Sequence, residues 1–250
     1  MKRTIRAGAV EETYTFLAPD RARPRGRRVG TASKRKQDSN EFQAEKRLAR
    51  LLNANFRHND ILLTLTYDED RIADPDADAV RSCAMKDLSR FLERMKYHAG
   101  KAGTALSKYI AVTSDINGDT GEYVKIHHHL VLPASIARFE DGKILVGKTD
   151  LEKLWGKGAC NLRLLHDQDD LTPVAQYLLR QVRRVPDHAK YRAARGMEKP
   201  VITDEEIVSG TRELRAPKGA RILYKAAYEP GRPQYIRYVR KQAAKGRRRE

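Results

Sequence analysis

The sequence predicts an α+β fold, a central and mainly antiparallel sheet with flanking helices. Three observations predict it. Segments whose apolar residues recur at helical spacing alternate with short runs rich in leucine, isoleucine, valine and threonine. The strand-like runs 109–113 and 125–132 are joined through a turn at Gly118–Gly121, too short for the crossover that parallel strands need. A hydrophobic fraction of 40% over 250 residues is enough for a core. By composition the chain divides into a flexible basic extension over 1–38, a folded domain over 39–240 and a basic tail over 241–250. The stretch 21–36 in particular contains no acid. No internal repeat is visible.

In order along the chain, Ser39 or Asn40 can cap a helix whose positions Ala44, Leu48, Leu51, Leu52 and Phe56 keep helical spacing. Asn59-Asp60 breaks it, and Ile61–Tyr67 follows as a strand apolar enough for a central place. A second helix starts within Asp74–Asp78 and carries Val80, Ala84, Leu88, Phe91, Leu92 and Met95 on one side. Tyr109–Thr113 and Lys125–Leu132 are the next strands. After a turn at Glu140–Lys143, Thr149 or Asp150 caps a short helix with Leu151, Leu154 and Trp155. Asn161–Leu165 is a short strand, and Leu171–Val185 a helix with Val174, Leu178, Val182 and Val185 as its buried stripe.

Charge narrows the partner. Lys and Arg outnumber Asp and Glu by 50 to 33, a net charge of +17, which favours a polyanion because each neutralised phosphate releases counterions. Charge alone does not separate an enzyme from a basic structural protein. Cys83 and Cys160 form no CxxC pattern, which suits a reducing cytoplasm and excludes a cysteine-rich zinc finger. No apolar run reaches the roughly 18 residues of a membrane span, and the basic start lacks the apolar core of a secretory signal. A cytoplasmic protein without a membrane partner is expected.

The segment Val124-Lys125-Ile126-His127-His128-His129-Leu130-Val131-Leu132 carries the sharpest chemistry. In a strand alternate side chains share a face, so Ile126, His128, Leu130 and Leu132 point one way and His127, His129 and Val131 the other. Two imidazoles about 6 to 7 Å apart at Cα can reach one divalent ion. Packing alone is the bland alternative, but two histidines on one face each need partners for their polar nitrogens. Residue chemistry leaves the ion open, since neutral imidazole suits zinc, manganese, nickel or copper better than magnesium. Asp115, closing the preceding strand, is the nearest carboxylate for a third ligand; it could equally start the turn with Asn117 and Gly118.

A second constellation sits at 173–184. On a helix Arg180, Gln181 and Arg184 share the side of Tyr177, placing a phenol among cations. An ordinary tyrosine is protonated at neutral pH, so as a nucleophile it would need a polarised phosphate, nearby positive charge, or both. An ordinary half-buried tyrosine is the alternative.

Together these residues resemble the HUH endonucleases, in which two histidines flank a central, usually apolar, strand residue. They look most like the rolling-circle replication initiators of phages, plasmids and integrated bacterial elements. The resemblance covers roughly residues 40–202. It rests on Asn55-Phe56 with Asp60 and the strand 62–67, the Phe91 helix before Lys108-Tyr109-Ile110, the histidine strand, Leu154-Trp155-Gly156-Lys157-Gly158, Ala175-Gln176-Tyr177-Leu178, and Arg195-Gly196-Met197-Glu198-Lys199-Pro200. It implies an RRM-like core, Mg²⁺ or Mn²⁺ on His127 and His129 with Asp115 nearest the usual third-ligand position, and Tyr177 as nucleophile. Arg180 stands where the family commonly has a lysine; it keeps the charge but not the proton-transfer chemistry. Lys125, Arg183, Arg184, Arg195 and Lys199 are the candidate DNA contacts. The implied reaction nicks single-stranded origin DNA, leaving a 5′-phosphotyrosine and a free 3′-OH for a host polymerase, with a host helicase opening the duplex in the bacterial cytoplasm.

No nucleotide cofactor is expected, although Gly142–Thr149 matches the phosphate-loop pattern GxxxxGKT. Arg138–Asp141 is no buried strand, and Ile144-Leu145-Val146 fills the loop like one. Competing functions are a relaxase or single-strand transposase with the same chemistry, a non-catalytic basic DNA-binding protein, and a hydrolytic metalloenzyme in which water replaces Tyr177.

Overall fold

Residues Ile61, Leu63 and Leu65 are buried while Leu62, Thr64 and Thr66 alternate with them half-buried, and this period of two builds a strand with two covered faces. It belongs to a computed structural model that describes residues 1–17, 34–68, 78–103, 105–137, 139–140, 143–144, 147–166, 169–183, 189–207 and 212–240. The elements are β1 (Lys2–Ala7), β2 (Val10–Thr15), α1 (Lys34–Asn55), β3 (Ile61–Thr66), α2 (Asp78–Lys101), β4 (Ile110–Ile116) and β5 (Tyr123–Leu132). A 3₁₀ turn (Ala134–Ala137), β6 (Phe139–Glu140), β7 (Lys143–Ile144), α3 (Lys148–Trp155), β8 (Cys160–Leu164) and α4 (Thr172–Arg180) follow. The last are β9 (Arg192–Ala193), β10 (Val201–Glu205), β11 (Arg221–Lys225) and β12 (Tyr235–Val239). The class is α+β, as the sequence predicts, but with two five-stranded antiparallel sheets. Two compact units divide the chain, one of residues 1–54 with 198–250, the other of 55–197.

The 55–197 unit holds the sheet β8-β3-β5-β4-β9. Within it the chain runs β3-α2-β4-β5-α3-β8, the split βαβ arrangement of RRM-like cores. Register puts Ile61, Leu63 and Leu65 beside Leu132, Leu130 and His128, and this face packs on Leu88, Phe91, Leu92 and Met95 of α2 and Leu151 and Trp155 of α3. The other face carries Thr64, His129, Val112 and Asn161 in one row and Thr66, His127 and Ser114 in the next. The Trp-Gly-Lys-Gly run has a structural cause. Gly156 closes α3 at φ 62° with its N–H on the Glu152 carbonyl at 2.8 Å. Gly158, at φ 155°, passes so near β3 that a Cβ there would lie 2.4 Å from the Thr66 carbonyl oxygen. The phosphate-loop match dissolves into other elements: Lys143–Ile144 pairs with Phe139–Glu140, and Gly147 precedes α3. Residues 141–142 and 145–146 of that region lie outside the described residues.

The other unit corrects the sequence-based layout. Residues 2–15, assigned there to a flexible extension, form β1 and β2 of the sheet β10-β1-β2-β12-β11. The basic stretch 21–36 lies outside the described residues up to 33, and helix α1 begins at Lys34, ahead of the expected cap at Ser39 or Asn40. The tail 241–250 is also outside them. These strands escape a hydrophobic pattern because buried carboxylates hold them. Glu12 accepts two hydrogen bonds from Arg50 of α1, at 2.9 and 2.8 Å, and one from the Tyr235 hydroxyl at 3.0 Å. Glu11 takes Arg240 at 2.7 Å, Arg6 at 3.2 Å and the Tyr238 hydroxyl. Burial works to raise the Glu12 pKa, but the Arg50 guanidinium wins and holds it below its ordinary value of 4.5.

A group whose folded pKa is depressed adds stability above its unfolded pKa and loses it as pH falls through the folded value. The melting temperature is therefore expected to drop as pH falls below about 4.5, the unfolded value for glutamate. Glu12→Gln should cost about 2–3 kcal/mol at pH 7 and flatten that acid slope. A thermal melt series in pH would refute this if the variant kept the wild-type slope.

Candidate active site

His128, the middle of the three histidines, is a core residue. Its Nδ1 lies 3.0 Å from the Thr113 hydroxyl and its Nε2 3.1 Å from the Tyr67 hydroxyl, while its ring meets Trp155 edge-on at 5.6 Å. Burial, reinforced by the neighbouring His127, pushes its pKa down to about 3, so the ring is neutral. With both nitrogens partnered, an imidazole can stand where an apolar residue is usual.

His127 and His129 face the other way, their rings 4.8 Å apart at 89°. Nδ1 of His129 meets the Thr64 hydroxyl, directly opposite on β3, at 3.0 Å. Its Nε2 is buried without a hydrogen-bond partner. Burial and then His127 push the His129 pKa down to about 4, with the Gln181 amide acting the other way. A neutral ring that donates Nδ1–H to Thr64 leaves the Nε2 lone pair aimed at nothing, an arrangement that costs free energy unless an ion takes it.

His127 donates Nδ1–H to the Lys125 carbonyl at 3.0 Å, which leaves its Nε2 a lone pair as well. Facing that lone pair at 3.4 Å is Oε1 of Gln181, whose Nε2 donates to the Tyr177 carbonyl at 3.1 Å. Two acceptors thus point at each other. A proton on the imidazole or a cation between them resolves the conflict, and the orphaned nitrogen of His129 beside them favours the cation. Among the described residues no cluster of three His, Cys, Asp or Glu is placed to hold a metal. The two imidazoles and the Gln181 amide oxygen are the donor set that fits one.

Tyr177 is brought to this face by α4. Ala175, Leu178 and Leu179 bury the helix against the sheet, which leaves Tyr177 half-exposed with its ring 5.4 Å from that of His129. Helix α4 is shorter than the sequence predicts. It stops at Arg180 because the next residues bind β4, the Gln181 carbonyl accepting the N–H groups of Asp115 at 3.1 Å and Ile116 at 3.3 Å. The β4–β5 turn comes so near that a Cβ on Gly118 would lie 2.9 Å from the Cβ of Arg180. Between turn and helix opens a cleft of about 590 Å³, lined among others by Asn117, Lys125, His127, Gln176, Tyr177 and Arg180. Arg180 lies 3.9 Å from Asp119 across it, both exposed.

Other sequence candidates are placed differently. Asp115, 1% exposed, is committed to Arg81 at 2.5 Å and to Arg183 Nε at 2.9 Å, and accepts the Arg183 backbone N–H at 3.1 Å. A bulge between Ser114 and Ile116 interrupts the pairing at this residue, and its carboxylate is saturated by cations. It is a clamp holding the end of α4 to β4, which corrects its assignment as a metal ligand. Arg183, expected on DNA, is the other half of that clamp. Lys125 is exposed and lines the cleft. Arg195 is exposed in the turn after β9 and does not line it. Lys199 is exposed in the other unit, and Arg184 lies outside the described residues. Gln181 is the residue that sequence reasoning placed beside Tyr177 without a role; its spacing, i+4 from the tyrosine on a helix, was the available signal.

No helix of the described residues is long and apolar enough to cross a membrane. Comparison with curated proteins yields no match, and neither does comparison with solved structures. The model of one protein family, replication-associated protein ORF2, matches residues 60–184. That span runs from the residue before β3 to just beyond α4, and so takes in the histidine strand, the cleft and Tyr177. As the match covers half of the 250 residues, the chain belongs to the replication-associated protein ORF2 family, a family of rolling-circle replication initiators.

Proposed function

We propose that this replication initiator opens rolling-circle replication by nicking one strand of origin DNA with Tyr177. One observation carries the reading: the Tyr177 ring stands on His129, on the sheet face where the His129 Nε2 lone pair and the facing lone pairs of His127 and Gln181 are left without a donor. His127, His129 and Gln181 would hold Mg²⁺ or Mn²⁺. When bound, the ion would supply charge neutralisation at the scissile phosphate. Arg180 adds a fixed positive charge at the cleft, and the Gln181 bond to the Tyr177 carbonyl keeps the nucleophile and donor set in register. The phenol oxygen attacks phosphorus, the P–O3′ bond breaks, and the phenol proton passes to solvent while the released 3′-oxygen is protonated. The products are a 5′-phosphotyrosine and a 3′-OH that a host polymerase can extend. The ester energy is kept in the covalent link, so resealing needs no nucleotide. A host helicase would supply unwinding.

The test is a set of 3′-end-labelled single-stranded oligonucleotides tiling the replicon that encodes the chain, incubated with purified protein and Mn²⁺. One tile is expected to leave its label on the protein in a denaturing gel, and EDTA should prevent it. Cleavage with no label on the protein would mean hydrolysis by water; binding of every tile with cleavage of none would mean a non-catalytic protein.

A further inference from the structure

In the unit formed by residues 1–54 and 198–250, rings line up across the strands of the sheet. Phe16, Tyr14, Tyr235 and Tyr224 follow one another with centroid separations of 5.9, 6.5 and 5.8 Å. Register places Tyr14 of β2 opposite Tyr235 of β12, and Arg3 opposite Tyr14, all on the face that α1 covers further along at Glu12. From α1, Phe42 borders the row, and the Lys46 ammonium stands 4.5 Å from the centroids of both Phe42 and Tyr235. The Arg3 guanidinium lies 5.2 Å over Phe16. Of these rings, Phe42 is 52% and Tyr224 54% exposed, so each offers a free flank to solvent.

Tyr224 reaches the row through a backbone irregularity. Ile222 pairs with Tyr238, and unbroken antiparallel pairing would set Tyr224 opposite Ile236, on the far face. The β11 bulge shifts it one place, opposite Arg237, and so turns its ring toward Tyr235. Exposed aromatics on an edge strand are a solubility liability, and core packing does not require this one. The two carboxylates that register assigns to this face are already taken by arginines, Glu12 by Arg50 and Asp204 by Arg3 at 2.7 Å. What the face presents outward is aromatic surface interleaved with positive charge.

We propose that this face is a stacking platform for single-stranded DNA, separate from the Tyr177 cleft. Rings on neighbouring antiparallel strands accept unpaired bases on their flanks, while Lys46 and Arg3 meet the phosphates. Duplex DNA keeps its bases stacked inside and cannot use such a surface. The partner is chosen by charge: the chain carries +17, and an uncharged or basic protein surface would gain nothing from the interleaved cations.

The full chain in EDTA, which suppresses nicking, is titrated into fluorescein-labelled dT₃₀ at about 0.15 M salt and followed by anisotropy. Tyr224→Ala and Phe42→Ala should each weaken binding about tenfold with little change in salt slope, and Tyr224→Trp should restore or exceed wild-type affinity. Lys46→Met should lower the salt slope instead. An unchanged affinity in both alanine variants, with native melting curves, would overturn the platform. So would an equal loss on a 30-base-pair duplex, which would make these residues contacts to phosphate or to structure. Because no cleavage enters this measurement, its failure and the failure of the nicking assay are independent.

Discussion

Replacing Tyr177 with phenylalanine is expected to abolish the covalent protein–DNA product while leaving the fold untouched. The substitution removes one oxygen, and if that oxygen is the atom that attacks phosphorus, no other group in the cleft can form the same ester. Adduct formation should fall by at least about 10³-fold. Stability should scarcely move, because Tyr177 is 50% exposed and the helix is anchored by Ala175, Leu178 and Leu179 on its buried side. Origin binding measured in EDTA should persist, which separates loss of chemistry from loss of contact. The decisive readout is the labelled protein band; its survival at wild-type intensity would hand the role to another tyrosine.

Asp115→Ala is expected to have the largest effect on stability of any change near the site. The carboxylate answers two guanidiniums whose side chains are only 12% and 13% exposed, Arg81 and Arg183, as well as a backbone N–H. Removing it leaves two largely buried cations facing each other, a loss of about 3–5 kcal/mol, or a melting temperature lower by roughly 10 °C. Asp115→Asn keeps an acceptor for the backbone N–H and should cost less. The same pair of variants decides what Asp115 is for. As a clamp, Asp115→Asn leaves Mn²⁺ affinity near wild type, whereas Gln181→Ala lowers it at least about tenfold with the fold intact, since the anchoring atom of Gln181 is its backbone carbonyl. Titrating Mn²⁺ by electron paramagnetic resonance reads affinity without any turnover. Loss of binding in Asp115→Asn together with normal binding in Gln181→Ala would restore Asp115 as ligand.

Much of the histidine-bearing unit was legible because its signals are local. The strand at 61–67, the helix carrying Phe91 and the Trp155 helix sit where apolar spacing places them, with ends displaced by a few residues. The other unit was not legible, and the reason is chemical. In β2, Val10-Glu11-Glu12-Thr13-Tyr14-Thr15, five of six positions are buried, two of them glutamates made compatible with burial by arginines and tyrosines more than 30 residues away in sequence. A pattern search that assigns charge to solvent discards such a strand. Its neighbours compound the problem, because β1 and β2 pair with β10 and β12, roughly 190 to 230 residues along the chain.

What the sequence determined by itself is the division of the histidine strand into two faces. Alternation follows from the geometry of any extended chain, so His127 and His129 had to point together and His128 away. What only the tertiary structure decided is which groups complete that face. Asp115 is nearer in sequence than Gln181, yet a bulge and two arginines withdraw it, while the end of α4 carries a neutral amide to the imidazoles. The physical reason is that a ligand set depends on where side chains converge, and convergence is fixed by how the turn after β4 and the end of α4 dock, which no spacing along one strand encodes.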